Sequence, residues 1–502
     1  MEVNPSLWVS TTPEPSYPAL DRDIEADVIV VGSGIVGLST ARMLAARGLR
    51  VVVIEARNVC HGATGYTTAK LTSLHSTIYS KLSKTWGDET AAVYAAANQA
   101  AIAKVRELVA MDRIECDLHE ASAYTYAESN DHLGEIEAEV EAARRAGLDA
   151  SFTTETELPY EIQGAVRLDG QARFHPRRYC LGLAEAVVRA GGLIFENSPA
   201  LGLDLDPATV TTDRARAKGR AVVVATQIPF VNSGGYFARM TPSRSYAVAL
   251  RPPTEAVDGM YISVDQPTRS IRSTGDGYLI VGGEGHPVGE DDDTTRRYEA
   301  LDRWSNERFP GASIDFRWSA QDYRSADGLP FIGRLRLGAT HVFVATGFAK
   351  WGMTNGTVAA MIISDLIEET PNDWADTFDS TRIAVAQGLG GVVTGNLEAA
   401  RHFVGDRIGS LDRIDAADLR AGSGEVVSLN GEKVAAYRDD DGLIHAVSAV
   451  CTHLGCQVSF NTAERSWDCP CHGSRFDVEG RVLAGPAVKD LASKGSLPDN
   501  EI

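Results

Sequence analysis

Four short stretches of this chain are apolar at almost every position: Asp27–Val31, Arg50–Ile54, Ala221–Thr226 and Val342–Gly347. Such runs, short and without alternation, suit strands buried on both faces of a parallel sheet. Leu38–Arg47 between the first two reads as a helix closed by Gly48, which makes a β-α-β unit. Further helices are predicted from Ser80 onward, from Phe174 to Ala190 before Gly191-Gly192, and over the apolar stretch ending at Ile367. Glu135–Ala146, charged and Ala-rich before Gly147, reads as a surface helix. Strand-like runs follow at Tyr246–Leu250 and Tyr278–Gly282, then at Glu425–Leu429 and Val434–Tyr437 before the turn Asp439–Gly442. Residues 1–23, rich in Pro, Ser and Thr, read as an extended arm. The pattern is α/β first and β-rich at the end, with no internal repeat.

The first strand runs directly into Gly32-Ser-Gly34-Ile35-Val36-Gly37. In this G-x-G-x-x-G turn Gly32 permits the tight bend, Gly34 lets a pyrophosphate approach the backbone, and Gly37 lets helix pack on strand. The phosphates would sit on open amides at the helix N-terminus. Glu55 closes the second strand at the offset expected for a carboxylate on ribose hydroxyls, with Ala56 and Arg57 beside it. An acid there argues against a 2′-phosphate. The motif alone does not separate FAD from NAD.

Two boxes near the other end carry a second chemistry: Cys451-Thr-His453-Leu-Gly-Cys456 and Cys469-Pro-Cys471-His472-Gly-Ser474. Each offers a thiolate and an imidazole at close spacing. A Cys₂His₂ set suits a Rieske-type 2Fe–2S cluster, with two thiolates on one iron and two histidines on the other. Zinc takes the same donors. Its pairs are usually spaced C-x₂₋₄-C and H-x₃₋₅-H, whereas these read C-x-H and C-x-x-H.

Both boxes closely resemble those of the Rieske proteins of respiratory and photosynthetic cytochrome complexes. That resemblance implies cluster ligands Cys451, His453, Cys469 and His472, and a disulfide between Cys456 and Cys471. It also implies a hydroxyl from Ser474 to a cluster sulfur. High-potential relatives carry a tyrosine where this chain has Phe476, so the expected potential lies below the top of a range of about −150 to +300 mV.

Roughly residues 24 to 372 resemble the D-amino-acid-oxidase-like FAD enzymes, which include glycine, sarcosine and dimethylglycine oxidoreductases. The likeness rests on the β-α-β unit, Gly62–Lys70, the strand ending Ala225-Thr226, Asp327–Gly333, and Ala345-Thr-Gly347-Phe348. It implies an α/β FAD-binding fold of the Rossmann-like, glutathione-reductase type with an inserted antiparallel substrate sheet, followed by an all-β Rieske domain. The implied boundaries are an arm at 1–23, an oxidoreductase domain at 24–380, a linker at 381–409 and the Rieske domain at 410–502. Within the oxidoreductase domain, residues 24–105, 165–235 and 316–372 would bind FAD, and 106–164 and 236–315 would form the substrate part. Beyond the glycine turn, the likeness implies FAD contacts from Thr64, Thr67, Thr68, Ala69, Lys70, Ala225, Thr226, Gly333, Gly347, Phe348, Trp351, Gly352, Met353 and Thr354. Relatives that attach flavin covalently use a histidine or cysteine where Thr67 and Gln321 stand, which implies a non-covalent cofactor.

The family implies oxidation of an amine or amino acid at a C–H bond next to nitrogen, and two cofactors in one chain suggest a relay in which electrons leave singly through the cluster. An arginine for the substrate carboxylate and a tyrosine above the flavin would come from Arg272 or Arg324 and from Tyr246 or Tyr323, and Lys350 would wall the pocket. Gly282 stands where certain oxidases place an oxygen-activating lysine, which favours a dehydrogenase. His175 and His286 read as surface histidines.

The 502 residues carry a net charge of −20, which disfavours nucleic acid and anionic membrane surfaces. No apolar run reaches the ~18 residues of a membrane span, and no secretory signal pattern is present. Cytoplasmic localisation is expected, with a homo-oligomer left open. Gly388–Val393 imitates part of a phosphate loop but follows no strand, and is read as linker. An NAD(P)H-linked reductase would call for a second nucleotide fold, and no second G-x-G-x-x-G follows a strand. A Rieske oxygenase would call for a large domain after the second box, where only Arg475–Ile502 follows. A non-enzymatic electron carrier or redox sensor is the remaining alternative.

Overall fold

The computed structural model describes residues 4–252, 257–291, 293–382, 419–429 and 432–497. The expected linker from 383 onward, Gly388–Val393 included, and the start of the last domain lie outside the described residues.

The four apolar runs lie side by side in an eight-stranded sheet. Its order is Phe331–Arg334, Val342–Thr346, Arg216–Val224, Ile24–Val31, Val51–Ile54 and Leu193–Phe195, with a hairpin (Gly202–Leu205, Ala208–Thr211) on Arg216–Val224. Val342–Thr346, Arg216–Val224, Ile24–Val31, Val51–Ile54 and Leu193–Phe195 pair in parallel. Every residue of Val51–Ile54 and Val342–Thr346 is buried, which is why those runs do not alternate. Helices Ile35–Ala46 and Gly352–Ile367 pack together, helped by Gly356, where a Cβ would meet Ile35 Cγ2 at 3.0 Å.

A nine-stranded sheet stands beside it, in the order Ser313–Ser325, Met240–Arg251, Leu279–Pro287, Arg269–Ser273, Met260–Ser263, His119–Ala127, Gly164–Arg173 and Lys70–Leu71, with Ser151–Thr153 paired to Gly164–Arg173. Two strands of this sheet run across the boundaries that the resemblance implies. Gly164–Arg173 and Ser313–Ser325 belong to this sheet, because their partners (Tyr124 opposite Arg167, Tyr246 opposite Ser319) come from distant segments.

The N-terminal arm is packed rather than free. Leu7–Ser10 forms a helical turn, Leu7 and Trp8 are buried, and Trp8 Nε1 donates to Thr67 O at 2.7 Å. The charged helix, Leu133–Arg145, hides one acid. Glu139 accepts from the amides of Tyr79 and Ser80, both at 2.8 Å, and so caps helix Ile78–Trp86.

The last domain is all β: one sheet of Gly424–Leu429, Glu432–Arg438, Ile444–Ser448 and Ser493–Leu497, and one of Ser459–Asn461, Ser466–Asp468, Arg475–Asp477 and Val482–Ala484. It docks on the larger sheet of its own chain. Thr294 Oγ1 donates to Asn461 Oδ1 at 2.7 Å, and Tyr298 Oη to Glu464 Oε1 at 2.8 Å. The approach is close at two glycines. A Cβ on Gly473 would lie 2.6 Å from Gln321 Nε2, and one on Gly289 would lie 2.8 Å from Pro470 Cβ.

Candidate active site and cluster loops

A cavity of about 1340 Å³ runs between the two large sheets. The glycine turn Gly32–Val36 lines it, as do Glu55-Ala56-Arg57, Thr64, Thr67, Thr68, Lys70, Ala225-Thr226, Phe348 and Trp351–Met353. The turn is built as its glycines imply. Gly32 has φ +101, and a Cβ there would lie 2.5 Å from Ala225 O. A Cβ on Gly37 would come within 1.9 Å of Gly32 O. Gly34 precedes helix Ile35–Ala46 in extended conformation with no side-chain cap, so the helix start is open to an anion, save that Ile35 N donates to Thr64 Oγ1 at 3.1 Å. Glu55 accepts from Ser33 N and Oγ at 2.9 and 2.7 Å and from Arg57 N at 3.0 Å, which fixes its carboxylate at the rim. These groups fit a dinucleotide.

Five expected FAD contacts do not line the cavity. Gly37 is used for helix–turn packing. Gly333 lies against Ser380, and Gly347 against Met240 Sδ. Thr354 Oγ1 donates to Thr72 O, one layer behind Trp351, whose ring stacks on His75 at 4.5 Å. Ala69 is buried, with its carbonyl accepting from Arg272. They support the wall from behind.

Of the five expected catalytic side chains, Lys350 and Arg324 project to the cavity. Ala349 and Lys350 are both left-handed (φ 50 and 75), a strained pair of the kind found at functional sites. The Asp322 carboxylate accepts from the amides of Lys350 and of Tyr323, the latter at 2.8 Å. Lys350 is exposed where it lines the cavity, yet enough protein surrounds it to hold its ammonium below the usual lysine range. Desolvation is the main cause, Arg324 adds to it, and Asp322 opposes. Arg324 lines the same wall.

The other three are corrected. Arg272 is fully buried away from the cavity, donating to Ala69 O, Phe174 O and Ser273 O beneath Trp8. Burial and Arg173 push its pKa down to about 9. It ties segments together. Tyr323 points the other way, with Oη donating to His472 O at 3.1 Å. Tyr246 borders the cavity, but its ring packs with Val248, Leu250, Tyr298 and Leu301 on the far face of the sheet. Its hydroxyl donates to His286 Nε2 at 3.0 Å, since His286 Nδ1 donates to Pro287 O. His286 is thus no surface histidine. Nor is His175, which accepts from Arg178 N as the cap of helix Pro176–Arg189 and packs on Trp8. Alternation predicted the strands, but not which face met which neighbour.

The second site lies in the last domain. Cys456 and Cys471 are bonded, and Cys451 and Cys469 are buried and free. The rings of His453 and His472 stand 5.1 Å apart. His453 Nε2 donates to Asn232 Oδ1 at 2.7 Å, which leaves Nδ1 with its lone pair, and that buried Nδ1 has no hydrogen-bond partner. A histidine with one nitrogen anchored and the other bare suits a metal ligand. Ser474 Oγ accepts from Ala487 N at 3.0 Å, and Phe476 is buried. The donor set fits a 2Fe–2S cluster held by Cys451, His453, Cys469 and His472.

A family model described as FAD dependent oxidoreductase matches residues 27–366, and one described as Rieske [2Fe-2S] domain matches residues 411–494. This chain belongs to the FAD-dependent oxidoreductases. It is 38% identical over 496 residues to YhfW of Bacillus subtilis, named for a Rieske 2Fe–2S iron–sulfur protein, covering 98% of this chain and 97% of that one. It is 26% identical over 373 residues to the gamma-glutamylputrescine oxidoreductase of Escherichia coli, 70% of this chain and 85% of that one. The glycine oxidase of Geobacillus kaustophilus superposes with a TM-score of 0.63 at 20% identity, over 72% of this chain and 99% of that one, which establishes the shared fold. The protein is an FAD-dependent oxidoreductase with a Rieske domain, and its cofactors are FAD and a 2Fe–2S cluster. No helix among the described residues is long and apolar enough to cross a membrane.

Proposed function

We propose that this enzyme oxidises an amine or amino acid at a C–H bond next to nitrogen and exports the electrons through its own Rieske domain. When bound, FAD supplies a hydride acceptor and the 2Fe–2S cluster a one-electron outlet. The observation that carries this reading is the strand Ser313–Ser325. Gln321, Asp322 and Arg324 line the cavity, and Gln321 Nε2 and Tyr323 Oη donate to Gly473 O and His472 O in the cluster loop, at 2.6 and 3.1 Å. One strand separates the two sites.

The residues have distinct tasks in this reading. Gly32 and Gly34 admit the pyrophosphate, and Glu55 holds the ribose. Lys350 and Arg324 orient an anionic part of the substrate, with Asp322 fixing the Lys350 backbone. Val482–Gly485 and Ala487–Asp490 of the last domain form part of the cavity wall. Gly282 places no lysine of its own at the cavity, in keeping with a dehydrogenase; the ammoniums nearby are those of Lys70, 2.7 Å from Ser270 Oγ, and of Lys350. The flavin is held non-covalently, and the protein works in the cytoplasm, where burial of Cys456 and Cys471 shields their bond. The oxidoreductase and Rieske parts act as one unit.

An anaerobic titration with N-methylated and primary amino acids, following flavin absorbance and the Rieske electron-spin signal together, tests this. Bleaching of the flavin with growth of the reduced-cluster signal is expected for at least one compound class. Bleaching with NADH alone, and with none of the amines, would overturn it.

A further inference from the structure

Two lysine side chains stand over one strip of the cavity floor. The strip belongs to strand Leu279–Pro287, which brings Gly282 and Gly285 to the cavity. Strict alternation would turn residues three apart to opposite faces. Glu284 is left-handed, with φ 52, and the register with Met240–Arg251 shifts at this place, so both glycines reach the same side. At one end Lys350 Nζ lies 2.9 Å from where a Cβ on Gly285 would stand. At the other, Ser270 pairs with Gly282, and Lys70 Nζ donates to Ser270 Oγ at 2.7 Å.

Neither lysine has an acid of its own. Lys70 is 7% exposed, and its partners are two neutral acceptors, Ser270 Oγ and the carbonyl of Tyr261. As an ammonium it would keep one donor unused. Among the described residues it makes no ion pair, and the charged group that acts on it is another cation, Arg272. Arg173, opposite Lys70 in the sheet, has its own acid in Asp258 at 2.8 Å. Lys350 makes no side-chain ion pair either. It stands between Arg324 and Asp322, and the Asp322 carboxylate accepts from two backbone amides. Glu284, the acid of the strip itself, is held by Arg269 at 2.7 Å and by Arg297 at 3.5 Å. Ser245 Oγ, 3.3 Å from the Gly285 position, is buried and has no hydrogen-bond partner. Burial and Arg272 hold the Lys70 ammonium well below the usual lysine range, and an anion arriving beside it would favour the charged form.

We propose that the substrate is an amino acid with a second anionic group, a short dicarboxylate, held at one end by Lys350, Arg324 and Ser245 and at the other by Lys70. Three residues along the strand span at most roughly 10 Å. Two charge-assisted contacts of about 2.8 Å leave roughly 4 Å between carboxylate oxygens, which suits a diacid of about five carbons. The two glycines keep the floor between the lysines low enough for that chain. The reacting C–H bond rests on the oxidation proposed above, whereas the two-charge site can be read without turnover.

Calorimetric titration of the full-length, FAD-loaded protein with glutarate and with glutaramate, its singly charged amide, tests this. Glutarate should bind roughly tenfold tighter or more, the worth of one charge-assisted hydrogen bond. In Lys70→Met the preference should vanish while glutaramate still binds, and Lys350→Met should weaken both ligands. Equal affinities in the wild-type protein, no binding of either ligand, or a preference that survives Lys70→Met would overturn it. The wild-type comparison needs no variant, so the site stays testable if Lys70→Met does not hold FAD. Bleaching of the flavin by amines without any preference for glutarate would refute the second anion site alone. A preference for glutarate with no bleaching by any amine would refute the oxidation alone.

Discussion

The two cofactor sites are built on opposite plans. The flavin cavity gathers residues from Val31 to Met353 and adds a wall from the last domain, and its specificity lies in backbone shape: a glycine turn, an uncapped helix, a strained pair at Ala349-Lys350. The cluster loops draw their ligands from Cys451–His472 and are clamped by one covalent bond. A site made of backbone fails when a side chain intrudes. A site made of ligands fails when a donor or a clamp is lost. The strand Ser313–Ser325 joins them, and its two faces speak to different partners.

The largest expected effect breaks one plan and spares the other. Gly37→Val would drive side-chain atoms into Gly32 O, where even a Cβ comes within 1.9 Å. Overpacking of that kind costs ~3 kcal/mol or more. The protein should lose its 450 nm flavin band while keeping the Rieske signal; loss of both together would mean that the sites are not separable.

The mirror experiment removes the clamp. The Cys456–Cys471 bond spans 15 residues, and deleting it as a double serine variant should destabilise the last domain by about 3 kcal/mol. Iron should be released on warming before flavin, as seen by acid-labile sulfide assay and absorbance.

Acidification should act on the flavin half through two buried histidines. Burial pushes the pKa values of His75 and His175 down to about 3, from about 6.5 in an unfolded chain. Between those values the unfolded chain binds protons that the native one does not, so stability falls as pH falls. One unit below 6.5, each histidine removes ~1.4 kcal/mol. Thermal unfolding followed by flavin release should show a lower midpoint at pH 5.5 than at pH 7.5, and a flat profile would contradict the neutral assignment.

The smallest effect probes the seam. Tyr323→Phe removes the buried hydrogen bond to His472 O and the one accepted from Gln321 Nε2, each worth ~1 kcal/mol. Flavin reduction should keep its rate while electron arrival at the cluster slows in freeze-quench samples. Equal slowing of both steps would return Tyr323 to the catalytic pocket.

Most of the plan was legible where chemistry is local. The glycine turn and the two Cys–His boxes are contiguous, and both lie where their residue order implies. The four apolar runs became neighbouring strands because burial on both faces leaves no alternation to misread. What was not legible depended on pairing. Arg272 and Arg324 carry the same charge on strands of one sheet, yet one is sealed beneath Trp8 and the other opens to the cavity. Tyr323 lies one residue from cavity-lining Asp322, and the pleat alone turns it to the cluster loop. Nothing in the sequence around Arg244 marks Asp468 as its partner.

Electrons should cross between the two centres inside one molecule. Photoreduction of the flavin under anaerobic conditions, with the cluster followed by freeze-quench electron-spin spectroscopy over a hundredfold range of protein concentration, tests it most directly. A cluster-reduction rate independent of concentration is predicted. A rate that scales with concentration, or a cluster that stays oxidised, would contradict it.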